Sequence, residues 1–209
     1  MAELIMMGSF VTVSERQAAQ VLRGLPEKWI VVCNKEIISP SATTYEVDFI
    51  IVADHNVFVI DEKSWRGAIH GNENIWILSG SEPRPNPLQK INHVARQLAS
   101  VLRGRIPFLH NIPPSAHFVH AIVLMSDADV KLRILDPRVG NQVVRLADAL
   151  DELPRLDKAL EQVNLEQARA AFRVELTGLK NRPQFPQSIN SYAVKEVLPG
   201  GPRYRAFLT

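Results

Sequence analysis

The chain has 209 residues, of which 46% are hydrophobic, and its formal net charge is +2. This length favours one domain with an appendage over two full domains, and the slight positive charge permits nucleic-acid binding without requiring it. A single cysteine, Cys33, rules out a disulfide framework, and no apolar run approaches the ~18 residues of a membrane span, so we expect a cytoplasmic protein without membrane contact.

The first predicted element is a helix over residues 14–23. Thr12-Val13-Ser14-Glu15 has the pattern of a capping box, in which Glu15 satisfies the helix N-terminus. Gly24 and Pro26 end the helix. A short strand is expected at 29–33, followed by a polar connection over 34–44.

A β-hairpin is predicted next. Two apolar runs, Val47–Val52 and Val57–Ile60, are separated by the polar segment Asp54-His55-Asn56. The strands are expected over 46–53 and 56–63, and this hairpin lies at the centre of the predicted sheet.

Charged residues occur in unusual places in this hairpin. Asp48 interrupts the first run, and Asp61-Glu62-Lys63 follows the second. Side chains two apart on a strand share a face, so Asp61 and Lys63 project together, and pairing about the loop places Asp48 opposite the neighbourhood of Asp61. A hard divalent cation would compensate two buried carboxylates. A surface salt bridge between Lys63 and Asp61 explains the spacing equally well.

The segments E-V-D-F-I-I-V, from Glu46, and N-V-F-V-I-D-E-K-S-W-R-G, from Asn56, resemble the nuclease-related domain (NERD), a branch of the PD-(D/E)XK nuclease superfamily. The resemblance covers about residues 12–126. It implies an α/β fold with a restriction-endonuclease-like α-β-β-β-α-β core, in which helices flank a mixed sheet. It also implies hydrolysis of phosphodiester bonds with Mg²⁺ or Mn²⁺.

The resemblance further assigns roles to residues. Asp48 and Asp61 would bind the metal, and Lys63 would orient the attacking water or stabilise the transition state. Glu15 would hold a second metal or steer Lys63, although capping accounts for it equally well. Relatives usually have Glu-apolar-Lys where this chain has Asp61-Glu62-Lys63. Three explanations of Glu62 stay open: it reaches solvent, it is paired, or the assumed register is one residue out.

Two further segments carry candidate residues. Asn86 and Pro87 open a helix expected over 87–102, where Gln89 either completes the N-terminal cap or, as in the family, lies near the catalytic carboxylates. Trp65 and Arg66 directly follow Lys63. They either contact nucleic acid by stacking and phosphate binding, or Trp65 packs under the neighbouring loop.

The C-terminal half completes the predicted organisation. A buried strand is expected at 117–125, and the helices that follow form an appendage packed on the core. We divide the chain into a nuclease-like core (1–145), a helical appendage (146–180) and a Pro/Gly-containing linker or tail (181–209). Residues 192–208 faintly resemble the opening of a protein kinase, and a fused or associated domain beyond residue 209 would fit that reading.

The sequence as a whole predicts a metal-dependent nuclease acting on DNA rather than RNA. The rival interpretation is a non-catalytic nucleic-acid-binding or assembly module of a larger, possibly kinase-fused regulator. The departure at Asp61-Glu62-Lys63 favours the rival, because Asp is one methylene shorter than Glu and could weaken metal binding.

Overall fold

The computed structural model describes residues 1–38, 43–78, 81–134 and 136–178, together with the backbone of three C-terminal strands. The helices are α1 (Val13–Leu22), α2 (Pro87–Arg105), α3 (Pro137–Gly140), α4 (Ala149–Ala159) and α5 (Arg169–Gly178). The strands are β1 (Glu3–Met6), β2 (Ile30–Ile38), β3 (Thr44–Val52), β4 (Val57–Lys63), β5 (Ala68–Gly71), β6 (Ile75–Leu78), β7 (Arg84–Pro85), β8 (Val119–Met125), β9 (Lys131–Ile134), β10 (Val143–Arg145), β11 (Ser188–Ile189), β12 (Tyr192–Leu198) and β13 (Arg203–Leu208). None of the described helices is both long and apolar enough to cross a membrane.

The main sheet has six strands in the order β1-β2-β3-β4-β8-β10. Strands β2, β3 and β4 pair antiparallel, whereas β1/β2, β4/β8 and β8/β10 pair parallel. The crossover from β4 to β8 contains α2. The predicted α/β fold class, a mixed sheet flanked by helices with further helices toward the C-terminus, is therefore confirmed.

Strands β3 and β4 carry apolar side chains on both faces of this sheet, and helices pack on both faces and bury them. Val57 and Val59 belong to the core under α2, whereas Phe58 and Ile60 belong to the core under α1 and α4. Helix α2 contributes a stripe of residues with helical spacing: Leu88, Ile91, Val94, Ala95, Leu98 and Leu102. The central hairpin is thus packed between two helical layers.

The predicted hairpin forms with the expected register. Val52 pairs with Val57, Phe49 pairs with Ile60, and the Ala53 N–H donates to the Asn56 carbonyl at 2.9 Å. The turn and the two strands therefore lie where the apolar runs predicted them.

The predicted polar connection over 34–44 is wrong over 34–38 and at Thr44, which lie in strands, whereas 39–42 lie outside the described residues. Strand β2 continues to Ile38 and pairs with the start of β3, including Lys35 with Val47. The signal was masked by the polar Asn34-Lys35-Glu36, and Asn34 has a left-handed backbone (φ 51°) within the strand. Strand β1, which pairs with β2 in parallel, was not predicted either.

A second sheet, in the order β7-β6-β5-β9, lies beside the first. Its inner side buries Ile69 and Trp76 in the core shared with α2. Strand β5 starts at Ala68, so only Ser64–Gly67 separate it from the charged end of β4. The second sheet therefore begins next to the candidate site.

Beyond the main sheet, α4 contacts α1, and α5 contacts α2 and β2. Strands β11, β12 and β13 form an antiparallel sheet, while the prolines and glycines between 181 and 202 lie outside the described residues. The division into core, appendage and tail stays a prediction.

Arg103 near the end of α2 is a structural residue. Its guanidinium donates to the carbonyls of Ile112 (3.1 Å) and Ala116 (2.8 Å) and lies 5.2 Å from the ring centroid of Phe118. We expect Arg103→Met to lower the free energy of unfolding by about 2–3 kcal/mol, because partly buried carbonyls lose their donors. Urea denaturation measures this loss. Arg96→Met, at an exposed position of the same helix, is the control, and an equal effect of both variants would contradict the assignment.

Candidate active site

Asp48 lies where β3 begins to separate from β4. The paired register ends at Phe49 and Ile60, so Asp48 is the next residue on its strand. Its side chain turns toward β4, and Oδ2 accepts a hydrogen bond of 2.6 Å from the Glu62 backbone N–H. This bond holds the carboxylate of Asp48 against the end of β4.

Asp61 and Lys63 lie on the same side of β4, as strand alternation requires. Lys63 Nζ is 2.6 Å from Asp61 Oδ2, and it also donates to the Glu62 carbonyl at 3.0 Å. Both side chains are largely buried, with 15% of Asp61 and 25% of Lys63 exposed. The strand-end salt bridge considered from the sequence is therefore present, and it lies beside Asp48.

The electrostatics of Asp48 show how closely the charges approach one another. Burial is the largest cause that raises the pKa of Asp48, and with the nearby carboxylates of Asp61 and Glu15 it brings the pKa to about 7. The hydrogen bond from the Glu62 N–H and the charge of Lys63 act in the opposite direction. Three acidic side chains and one lysine thus interact at one end of an apolar sheet.

Glu15 belongs to both the helix cap and this charged group. Its backbone N–H donates to Thr12 Oγ1 at 3.1 Å, as the capping box predicted, and its carboxylate accepts from the Val11 N–H at 2.9 Å. Glu15 is only 8% exposed and lies close enough to Asp48 to affect its pKa. Glu15 therefore takes part in the cap of α1 and also lies near Asp48.

Glu62 lies on the opposite face of β4 from Asp61. Its carboxylate accepts hydrogen bonds from the hydroxyls of Ser126 and Ser14, the latter at 3.1 Å. Burial raises the pKa of Glu62, and these two hydrogen bonds oppose that shift. Of the three explanations left open, the paired side chain is the one observed. The two serines were missed because their proximity depends on tertiary packing rather than on local spacing.

Gln89 is held by a neighbouring turn. Asn86 caps α2 through Oδ1, which accepts from the Leu88 N–H at 2.8 Å, as predicted. The amide of Gln89 instead donates to the Glu73 carbonyl (3.2 Å) and to Asn74 Oδ1 (3.1 Å). The interpretation of Gln89 as part of the cap is therefore wrong. Within the described residues it makes no hydrogen bond to the carboxylates of the site.

Trp65 and Arg66 have protein partners. Trp65 packs edge-to-face against Trp76, with ring centroids 6.1 Å apart, and the guanidinium of Arg84 lies 5.7 Å from the Trp65 ring centroid. Arg66 Nε is 3.2 Å from Asp127 Oδ2. Packing, the second interpretation of Trp65, is what the structure shows, and Arg66 is exposed but ion-paired.

Comparison with known protein families decides the wider identity. A model of the nuclease-related domain (NERD) matches residues 12–126, more than half of the chain. The chain belongs to the NERD family. Comparisons with curated proteins and with solved structures gave no significant match.

The matched part of the NERD domain runs from the N-cap of α1 through the end of β8, so it contains every residue of the candidate site. It leaves out β9, the outer strand of the second sheet, and the C-terminal helices. The family match therefore covers the elements that position Glu15, Asp48, Asp61 and Lys63.

The donor set of this NERD domain fits a hard divalent cation. Mg²⁺ is usually bound through one or two carboxylates and keeps several waters, and Asp48 and Asp61 supply such a pair. The described residues contain no ready-made group of three or more His, Cys, Asp or Glu ligands. A cation beside Asp48 would also remove the cost of ionising this buried carboxylate, which its raised pKa reflects.

The raised pKa of Asp48 predicts a pH-dependent stability. Between roughly pH 4 and pH 7 the folded protein holds a proton on Asp48 that the unfolded chain releases, so the Asp48 contribution to the free energy of unfolding falls as pH rises. Asp48→Asn removes this penalty and keeps an acceptor for the Glu62 N–H. Without metal, we expect the free energy of unfolding of the variant at pH 8 to be higher than that of the parent by on the order of 2–4 kcal/mol.

Urea denaturation at pH 4 and pH 8 in the presence of EDTA measures this difference. The two proteins should become equally stable near pH 4. A variant that is less stable than the parent at both pH values would mark Asp48 as a structural hydrogen-bonding residue.

Proposed function

We propose that this NERD domain is a metal-dependent nuclease that hydrolyses phosphodiester bonds, in DNA rather than RNA. The observation that supports the proposal is the convergence of Asp48, Asp61 and Glu15 with Lys63 at one end of the central hairpin. A surface salt bridge alone would not require two further buried carboxylates beside it. Asp48 in particular is costly to ionise there without a cation, as its raised pKa reflects.

In this proposal each residue has a separate task. Asp48 and Asp61 would hold Mg²⁺ or Mn²⁺, which supplies a water of lowered pKa and neutralises charge on the phosphate oxygens. Lys63 would use its ammonium group to orient the attacking water or to stabilise the charge that develops on the phosphate. The Glu62 N–H keeps Asp48 in place, and α1 carries Glu15 close enough to Asp48 to affect its pKa.

A non-catalytic nucleic-acid-binding or assembly module is the second candidate. It is favoured by the ion pair between Lys63 and Asp61, because each group neutralises the other at 2.6 Å. In such a module the Asp61-Glu62-Lys63 segment would stabilise the packing of β4 against Asp48, Ser14 and Ser126 and would have no catalytic role.

A cleavage assay separates the two candidates. The purified chain is incubated with plasmid DNA, single-stranded DNA and RNA in Mg²⁺ or Mn²⁺, with EDTA as one control and Asp61→Asn as another. We expect DNA cleavage that requires metal and is lost in the variant. Binding without cleavage in every condition would favour the second candidate, and cleavage that persists in EDTA would indicate a contaminating nuclease.

A further inference from the structure

The outer side of the second sheet carries an unusual combination of side chains. Strand alternation sends Trp76 and Leu78 of β6 into the core, while Ile75 and Ile77 point outward. These two isoleucines are 46% and 45% exposed. Large aliphatic side chains on the solvent side of a strand are a feature that folding alone does not require.

These isoleucines line one open depression of about 820 Å³. His70 and Arg133 line it as well, and the strand register places His70 between Ile77 and Arg133 in one row across the sheet. The volume falls within the range of sites that take small organic groups. The depression is therefore large enough to receive a base together with part of its sugar-phosphate backbone.

The charge on this side is positive. Lys131 lies two residues before Arg133 and so shares its side of β9, and both are exposed without an ion pair among the described residues. Asp136 also lines the depression, but its Oδ1 caps α3 by accepting from the Arg138 N–H at 2.9 Å and lies 3.5 Å from Arg138 Nε. Two cations, Arg133 in the lining and Lys131 beside it on β9, therefore border an apolar floor.

We propose that this outer side of the second sheet binds single-stranded nucleic acid. Lys131 and Arg133 would contact phosphates, and unstacked bases would lie against Ile75, Ile77 and the ring of His70. A duplex would present its phosphates to the cations but keep its bases stacked away from the isoleucines. That the bound single-stranded nucleic acid is the substrate rests on the proposed nuclease function, whereas the binding itself does not.

This surface begins close in the chain to the candidate site. Strand β5, which carries His70, starts at Ala68, five residues after Lys63. A single-stranded nucleic acid bound along the second sheet would thus lie beside the end of β4. The surface would select the substrate, while the carboxylates would act on it.

The test uses fluorescence anisotropy with a labelled oligothymidine in EDTA, so that binding is measured without cleavage. We expect Lys131→Ala/Arg133→Ala to weaken binding about tenfold or more and to reduce the salt-dependence slope by about 1.4, the value for two phosphate contacts on a single strand. Ile75→Ala/Ile77→Ala should weaken binding severalfold with the slope unchanged. Arg23→Ala/Lys158→Ala removes two exposed charges on the side of α1 and α4, and should bind like the parent.

Several outcomes would overturn the inference. One is unchanged oligothymidine affinity in both β-sheet variants, that is, in Lys131→Ala/Arg133→Ala and in Ile75→Ala/Ile77→Ala. This result is expected if this side binds a protein partner instead. Another is a preference for a duplex of the same length. If the parent binds oligothymidine through this surface but never cleaves DNA with Mg²⁺ or Mn²⁺, the nuclease proposal fails and the inference stands. If the parent cleaves DNA and the KM of the β-sheet variants is unchanged, the inference fails alone.

Discussion

Lys63→Ala should lower the rate of DNA cleavage at saturating substrate by two or more orders of magnitude. The ammonium group of Lys63 lies among carboxylates at the end of β4, where bulk water does not screen it fully. Loss of one such electrostatic contact in the transition state costs about 3 kcal/mol, which corresponds to a factor of more than 100. Single-turnover cleavage of plasmid and single-stranded DNA in Mg²⁺ measures the loss.

Metal binding and folding should survive this substitution. Both carboxylate ligands remain, and Mn²⁺ affinity measured by calorimetry should be unchanged or higher because a competing cation has gone. Because only 15% of Asp61 and 25% of Lys63 is exposed, removing the lysine leaves a largely buried carboxylate unpaired, and we expect the metal-free variant to fold with a free energy of unfolding lower by about 3 kcal/mol. Lys158→Ala, which removes an equal charge from an exposed position of α4, is the matched control. A Lys63→Ala protein that cuts as fast as its parent would remove Lys63 from the mechanism.

The sequence was most informative where local pattern and tertiary environment agree. The two apolar runs of the hairpin are buried on both faces, so their length and their polar turn sufficed to predict strands and register. The spacing of Asp61 and Lys63 follows directly from strand alternation. Asp48 was placed correctly opposite the end of β4 because the hairpin register determines that position.

Other features depend on partners distant in sequence. Strand β1 is a short, half-exposed segment that is stabilised by parallel pairing with β2, and its four residues carry no periodic signal of their own. The charged Lys35 and Glu36 look like part of a loop, yet Lys35 is only 1% exposed within β2. The amide of Gln89 finds its partners in a turn that precedes it by some 15 residues. Only the assembled structure shows these contacts.

The same limit applies to the loop of the central hairpin, which the C-terminal helices hold in place. Asp157 of α4 accepts hydrogen bonds at Oδ1 from the backbone N–H groups of His55 (3.1 Å) and Asn56 (2.9 Å) and from the Asn56 side-chain amide (3.0 Å). Asp54 pairs with Arg169 at the start of α5 and accepts from the Trp29 indole at 3.1 Å. Nothing in the hairpin sequence predicts these contacts, which tie α4 and α5 to the strands that carry the site.

Asp157→Ala should therefore destabilise the protein by about 3–4 kcal/mol. The side chain is 3% exposed, and its removal leaves two backbone N–H groups of the loop without an acceptor, at about 1–3 kcal/mol each. For a domain of this size the melting temperature should fall by about 6–16 °C. Asp157→Asn keeps an acceptor oxygen in place and should cost about 1 kcal/mol, while Glu161→Ala removes only the exposed 3.7 Å contact with His55 and should change little. Thermal and urea denaturation rank the three variants.

The loop lies at the end of the hairpin opposite Asp48 and Asp61. The Mn²⁺ affinity of the Asp157→Ala protein, measured at a temperature where this variant is folded, should therefore match that of the parent. If the Ala and Asn variants are equally stable, the Asp157 hydrogen bonds do not hold the loop. If Mn²⁺ affinity falls with stability, the C-terminal helices act on the site as well as on the fold.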